Sequence, residues 1–121
     1  MKIGTDIIQI SRIENLLEKH EEKFKKRFLN QNEIVLAKKT ESMAGFWAAK
    51  EAIAKALGCG IGSRLSFHDI NIGKDPMGAP YFTLSELAQA LHPIKESSLS
   101  ISHDGGFAIA VVAIIMKSGK Y

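Results

Sequence analysis

The spacing of hydrophobic positions changes period twice along this chain, first from strand to helix and then back to strand. Lys2 to Ile8 reads as a strand, after which Ile13, Leu16, Leu17, Phe24 and Phe28 keep a helical period that leaves intervening Lys, Arg and Glu residues on the solvent side. Ser11 followed by Glu14 offers this helix a capping box, and Asn30 followed by Glu33 offers a second helix start. A third helix is predicted from Thr40–Ser42 to Leu57. Beyond the glycine-containing loop Gly58–Ser66 the period falls to two: Phe67, Asp69 and Asn71 alternate with His68, Ile70 and Ile72. Asp75-Pro76-Met77-Gly78 supplies turn chemistry before Tyr81–Leu84, which completes a hairpin. Ser85 can cap a short helix that runs to Leu91 and is ended by Pro93. Leu99–His103 then pairs with Phe107–Ile115 through the turn Asp104-Gly105-Gly106. The predicted class is α+β, an antiparallel sheet packed with a long central helix and shorter ones.

Length and composition narrow the reading without deciding it. At 121 residues, 45% hydrophobic and 24% charged, the chain suits one ordinary domain spanning residues 1–121 with a real core. The apolar run Phe107–Met116 is far shorter than the ~20 residues of a bilayer span and reads as a buried strand. The opening residues carry no secretion signal pattern, so no membrane role and a cytoplasmic location are expected. Cys59 stands alone, which excludes an internal disulfide and a thiolate-rich zinc site. The net charge of +3 is unevenly spread, with Lys19, Lys23, Lys25, Lys26 and Arg27 crowded together. An acidic partner follows. Interleaved Glu18, Glu21 and Glu22, and the assignment of Phe24 and Phe28 to the apolar side of the helix rather than to its basic face, argue against nucleic acid.

Candidate chemistry concentrates in Phe46-Trp47-Ala48-Ala49-Lys50-Glu51-Ala52-Ile53-Ala54-Lys55-Ala56-Leu57-Gly58-Cys59-Gly60. Glu51 and Lys55 are one helical turn apart and share a face, and the small residues between them let a backbone or ligand come close. Gly58 can adopt the left-handed conformation that ends the helix. Taken alone, such a pair reads first as an exposed ion pair worth roughly 0.2–0.5 kcal/mol; the other reading is a carboxylate on a cation beside an ammonium on a phosphate. Asp6 sits inside an apolar strand, where a carboxylate either reaches water or needs a cation or hydrogen-bond donors. Alternation puts Gly4 on its face, leaving room beside it. Asp6 and Glu51 together would offer hard oxygen ligands of the kind magnesium takes. His103 ends a strand before a glycine turn, a place where a lone histidine is more often structural than chemical.

The central stretch resembles the W/F-x-x-K-E-A-x-x-K-A helix of the phosphopantetheinyl transferases. Ile3-Gly4-Thr5-Asp6-Ile7-Ile8 near the start and Ser100-Ile101-Ser102-His103 near the finish are similar to two further motifs of that family. Their order and spacing over nearly the whole chain resemble the short bacterial holo-acyl-carrier-protein synthases. The resemblance implies transfer of 4′-phosphopantetheine from coenzyme A to a serine of apo acyl carrier protein, releasing adenosine 3′,5′-bisphosphate, in support of fatty acid biosynthesis. It implies Mg2+ on Asp6 and Glu51, with Lys55 completing the catalytic set. Coenzyme A would be bound by Lys55, Gly58, Gly60, Pro80, Ser102 and His103, and the carrier protein by Arg12, Lys23 and Arg27. It further implies a homotrimer with sites at subunit interfaces.

Three departures bear on the nucleotide. Phe46 stands where an arginine is common in the resembled family, Ala79 where a lysine is common, and Asp104-Gly105-Gly106 where hydroxyl and basic residues are usual. Lys38, Lys39 or Arg64 are candidates to compensate. His68-Asp69 is a poor metal dyad, because alternation along a strand would point the two side chains apart. Gly58-Cys59-Gly60-Ile61-Gly62 lacks Gly-Lys-Ser/Thr and follows a helix rather than opening one, which excludes a nucleoside triphosphatase loop. The rival class is a non-enzymatic module that grips an acidic partner with its basic helix, and for it Asp6, Glu51 and magnesium would be dispensable.

Overall fold

The structure, a computed structural model, describes residues 1–118. Strand β1 (Lys2–Gln9) leads into helix α1 (Ile10–Phe28), followed by α2 (Gln31–Leu36) and α3 (Thr40–Ala56). A 3-10 turn (Phe67–Asp69) precedes the hairpin of β2 (Ile70–Lys74) and β3 (Pro80–Leu84). Helix α4 (Glu86–Leu91) then precedes a long second hairpin, β4 (Ile94–Asp104) with β5 (Phe107–Met116). The sheet order is β1-β5-β4, all antiparallel, while β2 and β3 form a separate pair. The expected α+β class with antiparallel sheets around a long helix is what the chain forms.

Helix α3 is the centre of the molecule. Met43, Ala44, Phe46, Ala48, Ala49, Ala52, Ile53 and Ala54 are buried on it, against Ile8 of β1 and Ala108, Ala110, Val112 and Ile114 of β5. Alanine over most of this surface lets the helix axis approach the sheet. The closest approach is at Gly4, where a Cβ would overlap the Ala52 carbonyl oxygen and lie 2.9 Å from the Ala56 Cβ. The room expected beside Asp6 at Gly4 is therefore filled by the helix itself. Strand β5 buries one face only; Phe107, Ile109 and Val111, together with Ile3 and Ile7 of β1, are exposed on the other.

Two local expectations are corrected. Phe67–Asp69 is a 3-10 turn rather than the start of a strand, because Asp69 bends back to accept from the Ser66 backbone N–H at 2.9 Å and the Ser66 hydroxyl at 3.1 Å. It also accepts from the Ser85 hydroxyl at 2.7 Å, and these donors hold its carboxyl below the usual aspartate range. The Ser11–Glu14 box does not form. Helix α1 begins at Ile10 straight out of β1, with Gln9 at the N-cap and no side-chain cap. The Asn30–Glu33 box does form.

Helix α1 is not continuous. Glu21 has φ 46° and ψ −126°, which breaks it into two segments. The second segment turns Phe24 and Phe28 onto α3, where Phe28 meets Trp47 at a ring separation of 5.3 Å and Trp47 meets Phe67 at 4.8 Å.

Candidate active site

Glu51 and Lys55 project from the last two turns of α3, and Asp6 projects from the β1 strand that Gly4 lets approach that helix. Asp6 shares the inward face of β1 with Gly4 and Ile8, yet its side chain retains 16% exposure. The Lys55 ammonium donates to Asp6 Oδ1 at 2.7 Å and to the Thr5 carbonyl oxygen at 3.2 Å. The expected i,i+4 ion pair on the helix is thus replaced by a pair between helix and strand. Burial pushes the Glu51 carboxyl up, and the neighbouring Asp6 carboxylate pushes it further, while the Lys55 ammonium and Arg12 guanidinium offset part of this. Arg12, on the first segment of α1, is accordingly part of this electrostatic neighbourhood.

Behind the helix runs a second charged arrangement that sequence reasoning missed. Lys50 and Glu33 are both fully buried, with Nζ to Oε1 at 2.7 Å. Lys50 also donates to the carbonyl oxygens of Phe28 at 2.8 Å and Phe67 at 2.9 Å. Glu33 accepts from the backbone N–H of Asn30 at 2.6 Å and of Ile72 at 2.7 Å. Five segments are joined through two side chains. Burial draws the Lys50 ammonium down from the usual lysine range, and Glu33 opposes that. The signal was present in the sequence: Met43, Lys50 and Ile53 follow the apolar stripe of α3, so Lys50 needed a buried acid.

Two recesses flank α3. One, of about 330 Å³, has Leu16, Phe24, Trp47 and Phe67 as an apolar floor, with Lys23 and Arg27 at its rim. The other, of about 170 Å³, lies at the start of the helix, where Pro80 and His103 meet Phe46, Lys74 and Gly78. The expected nucleotide residues are therefore divided. Register places Ser102 opposite Ile109 and His103 opposite Ala108, so Ser102 lies on the exposed apolar face of the sheet and His103 on the α3 side. Gly58 and Gly60 close α3 with φ values of 81° and 65°, as the expected left-handed helix end requires at Gly58.

The arrangement can hold a cation between two carboxylates and set an ammonium beside it. Residues 2–112 match the family model described as the 4′-phosphopantetheinyl transferase superfamily. The chain belongs to that superfamily. It is 64% identical over 114 residues, covering 94% of this chain and 96% of the relative, to the holo-[acyl-carrier-protein] synthase of a Sulfurovum species. The Helicobacter pylori holo-[acyl-carrier-protein] synthase, solved in complex with coenzyme A, superposes with a TM-score of 0.91 at 53% identity over 93% of this chain and 99% of that one. The Bacillus anthracis synthase, solved with coenzyme A (3′,5′-ADP), gives a TM-score of 0.80 at 42% identity, covering 96% of each. The family expected from the three motifs is the family the transferase belongs to. Among the described residues, no helix is long and apolar enough to cross a membrane.

Proposed function

We propose that the Asp6–Glu51–Lys55 cluster is where this transferase acts as a holo-acyl-carrier-protein synthase. The enzyme moves the 4′-phosphopantetheine arm of coenzyme A onto a serine of apo acyl carrier protein and leaves adenosine 3′,5′-bisphosphate, supplying carrier for fatty acid biosynthesis in the cytoplasm. The observation that carries the site assignment is the 2.7 Å contact between Lys55 and Asp6 beside a Glu51 whose carboxyl is pushed up.

In the reaction a bond forms between the serine Oγ and the phosphorus that carries the pantetheine arm, and the bond from that phosphorus to the leaving bisphosphate breaks. Glu51, directly or through a water, is the residue assigned to accept the serine proton. Lys55 sits where it can meet the charge that gathers on the departing phosphate. The donor set fits magnesium: Asp6 and Glu51 are two hard oxygen ligands held close enough that the Asp6 carboxylate opposes ionisation of Glu51, and magnesium typically fills its remaining positions with water and phosphate oxygens. When bound, it supplies charge neutralisation on the pyrophosphate.

Carrier recognition falls to α1. Arg12, Lys23 and Arg27 present cations along it, and the aromatic recess between Lys23 and Arg27 is shaped to take one apolar side chain of the carrier. Assembly completes the reading. Ser42 at the His103 recess and Glu51 at the carboxylate cluster are nine residues apart on α3, about 14 Å along its axis. A homotrimer would bring the recess of one protomer to the cluster of the next across the exposed face of β1 and β5. The test of the function is incubation with coenzyme A, magnesium and apo acyl carrier protein, with mass spectrometry reading the phosphopantetheine adduct; an unmodified carrier defeats the proposal.

A further inference from the structure

The buried Lys50–Glu33 pair takes no part in the chemistry of transfer, yet two of its hydrogen bonds end at the aromatic recess. The Lys50 Nζ donates to the Phe28 carbonyl oxygen at 2.8 Å and to the Phe67 carbonyl oxygen at 2.9 Å. Phe28 is the last residue of α1, so its carbonyl has no partner within the helix and lies at the negative end of the helix dipole, which a cation complements. Phe67 opens the 3-10 turn and forms part of the recess floor. Trp47 stands about one turn before Lys50 on α3 itself. Three elements that shape the recess are thus held to one nitrogen atom. Their rings meet: Phe28 lies 4.9 Å from Phe24, 5.3 Å from Trp47 and 6.2 Å from Phe67. A shift of either carbonyl therefore moves the floor, and a shift of Phe28 also moves Arg27, the residue before it, at the rim. The 3-10 turn keeps a second tie, from His68 Nδ1 to Asn30 Oδ1 at 2.9 Å, so losing the Lys50 bonds loosens the recess without releasing the turn.

We propose that Lys50 is a positioning residue for carrier recognition, fixing the shape of the aromatic recess through the carbonyls of Phe28 and Phe67. The inference rests on the transferase reading above, in which that recess takes an apolar side chain of the carrier. An apolar pair of the same volume would fill the space beneath α3 with no loss of stability and often with a gain. What it lacks is direction. Two carbonyls that accept from one ammonium have a set place relative to each other, whereas two carbonyls beside a thioether do not. Glu33 holds the charge in the core, and Lys50 spends its remaining donors on the two backbones that frame the recess. A pocket built to receive one side chain is sensitive to small displacements of its walls, because the binding energy of an interface is concentrated in such well-packed anchors.

The experiment compares two variants of the full chain by steady-state kinetics, by urea denaturation and by the emission of Trp47, the one tryptophan present. Lys50→Met combined with Glu33→Gln keeps the buried volume and removes the donors. It raises KM for apo acyl carrier protein about tenfold, with kcat and KM for coenzyme A within about twofold of the wild type, and moves the Trp47 emission to longer wavelength. Glu33→Gln alone removes the anion and leaves Lys50 its donors to both carbonyls. It lowers the urea midpoint but keeps the wild-type carrier KM and the wild-type emission, and it decides the matter alone where the double variant does not fold. A carrier KM that rises in Glu33→Gln as far as in the double variant follows stability and overturns the assignment. An unchanged carrier KM in the double variant, or an equal rise for both substrates, overturns it too. Failure of the wild type to modify the carrier at all would instead overturn the transferase reading.

Discussion

Lys50 and Glu33 form an ion pair from which water is excluded, with Nζ and Oε1 2.7 Å apart and neither side chain exposed. Such a pair is more expensive to break than to replace. Lys50→Ala leaves the Glu33 carboxylate buried without its cation, and urea denaturation is expected to register a loss of about 3–5 kcal/mol. Lys50→Met combined with Glu33→Gln should recover part of that loss. Additive damage from the two changes would show that the pair is not the joint the geometry describes.

The carboxylate cluster is tested separately. Asp6→Ala and Glu51→Ala should each abolish transfer while retaining the wild-type far-ultraviolet dichroism. Lys55→Ala should lower kcat by about two orders of magnitude or more, the scale of removing one donor to developing charge. An effect confined to KM would reassign Lys55 to substrate binding.

Glu51 has a pH signature with a definite sign. Its folded-state value lies above the ordinary glutamate value, so its contribution to stability is present at low pH and lost as pH rises through the folded value. In magnesium-free protein, Glu51→Gln should therefore melt above the wild type at neutral pH, and the two should converge below the ordinary glutamate range. Magnesium should raise the wild-type melting temperature and leave the variant unmoved.

Steering by α1 predicts a separation of the two substrates. Arg27→Gln should raise KM for the carrier protein and spare coenzyme A, with the wild-type advantage shrinking as salt is added. Trp47→Ala should also weaken carrier binding but without the salt dependence, because it removes apolar floor rather than charge. Equal effects of either change on both substrates would locate the damage elsewhere.

Shared sites predict complementation. Glu51→Ala and His103→Ala, each inactive alone, should recover activity when mixed after dissociation and reassembly. A fully active monomer in solution would refute the arrangement.

The parts of this protein that were legible in its sequence are those whose signal is local. The small-residue face of α3, the Asn30–Glu33 box, the Ser85 cap and the glycine turn before β5 each declare themselves within a few residues. Phe67–Asp69 misled because apolar–polar alternation fits a strand as well as a turn until the partners of Asp69 are known. The break at Glu21 gave no warning, since neither glycine nor proline marks it. The place of Lys74 beside His103 and Phe46 could not be read from the chain alone, because the three meet only when the hairpin of β2 and β3 folds over the start of α3.

The break at Glu21 also divides the electrical axis of α1. The second segment has Lys25, Lys26 and Arg27 in its last turn, where they complement the negative end of its peptide dipole. A net charge of +3 spread over 121 residues would be a weak and undirected attraction. Here the cations are gathered at the end of a short rod whose bearing is set by the backbone at one residue. An approaching acidic surface meets a field with an orientation, so it can be turned before it is touched.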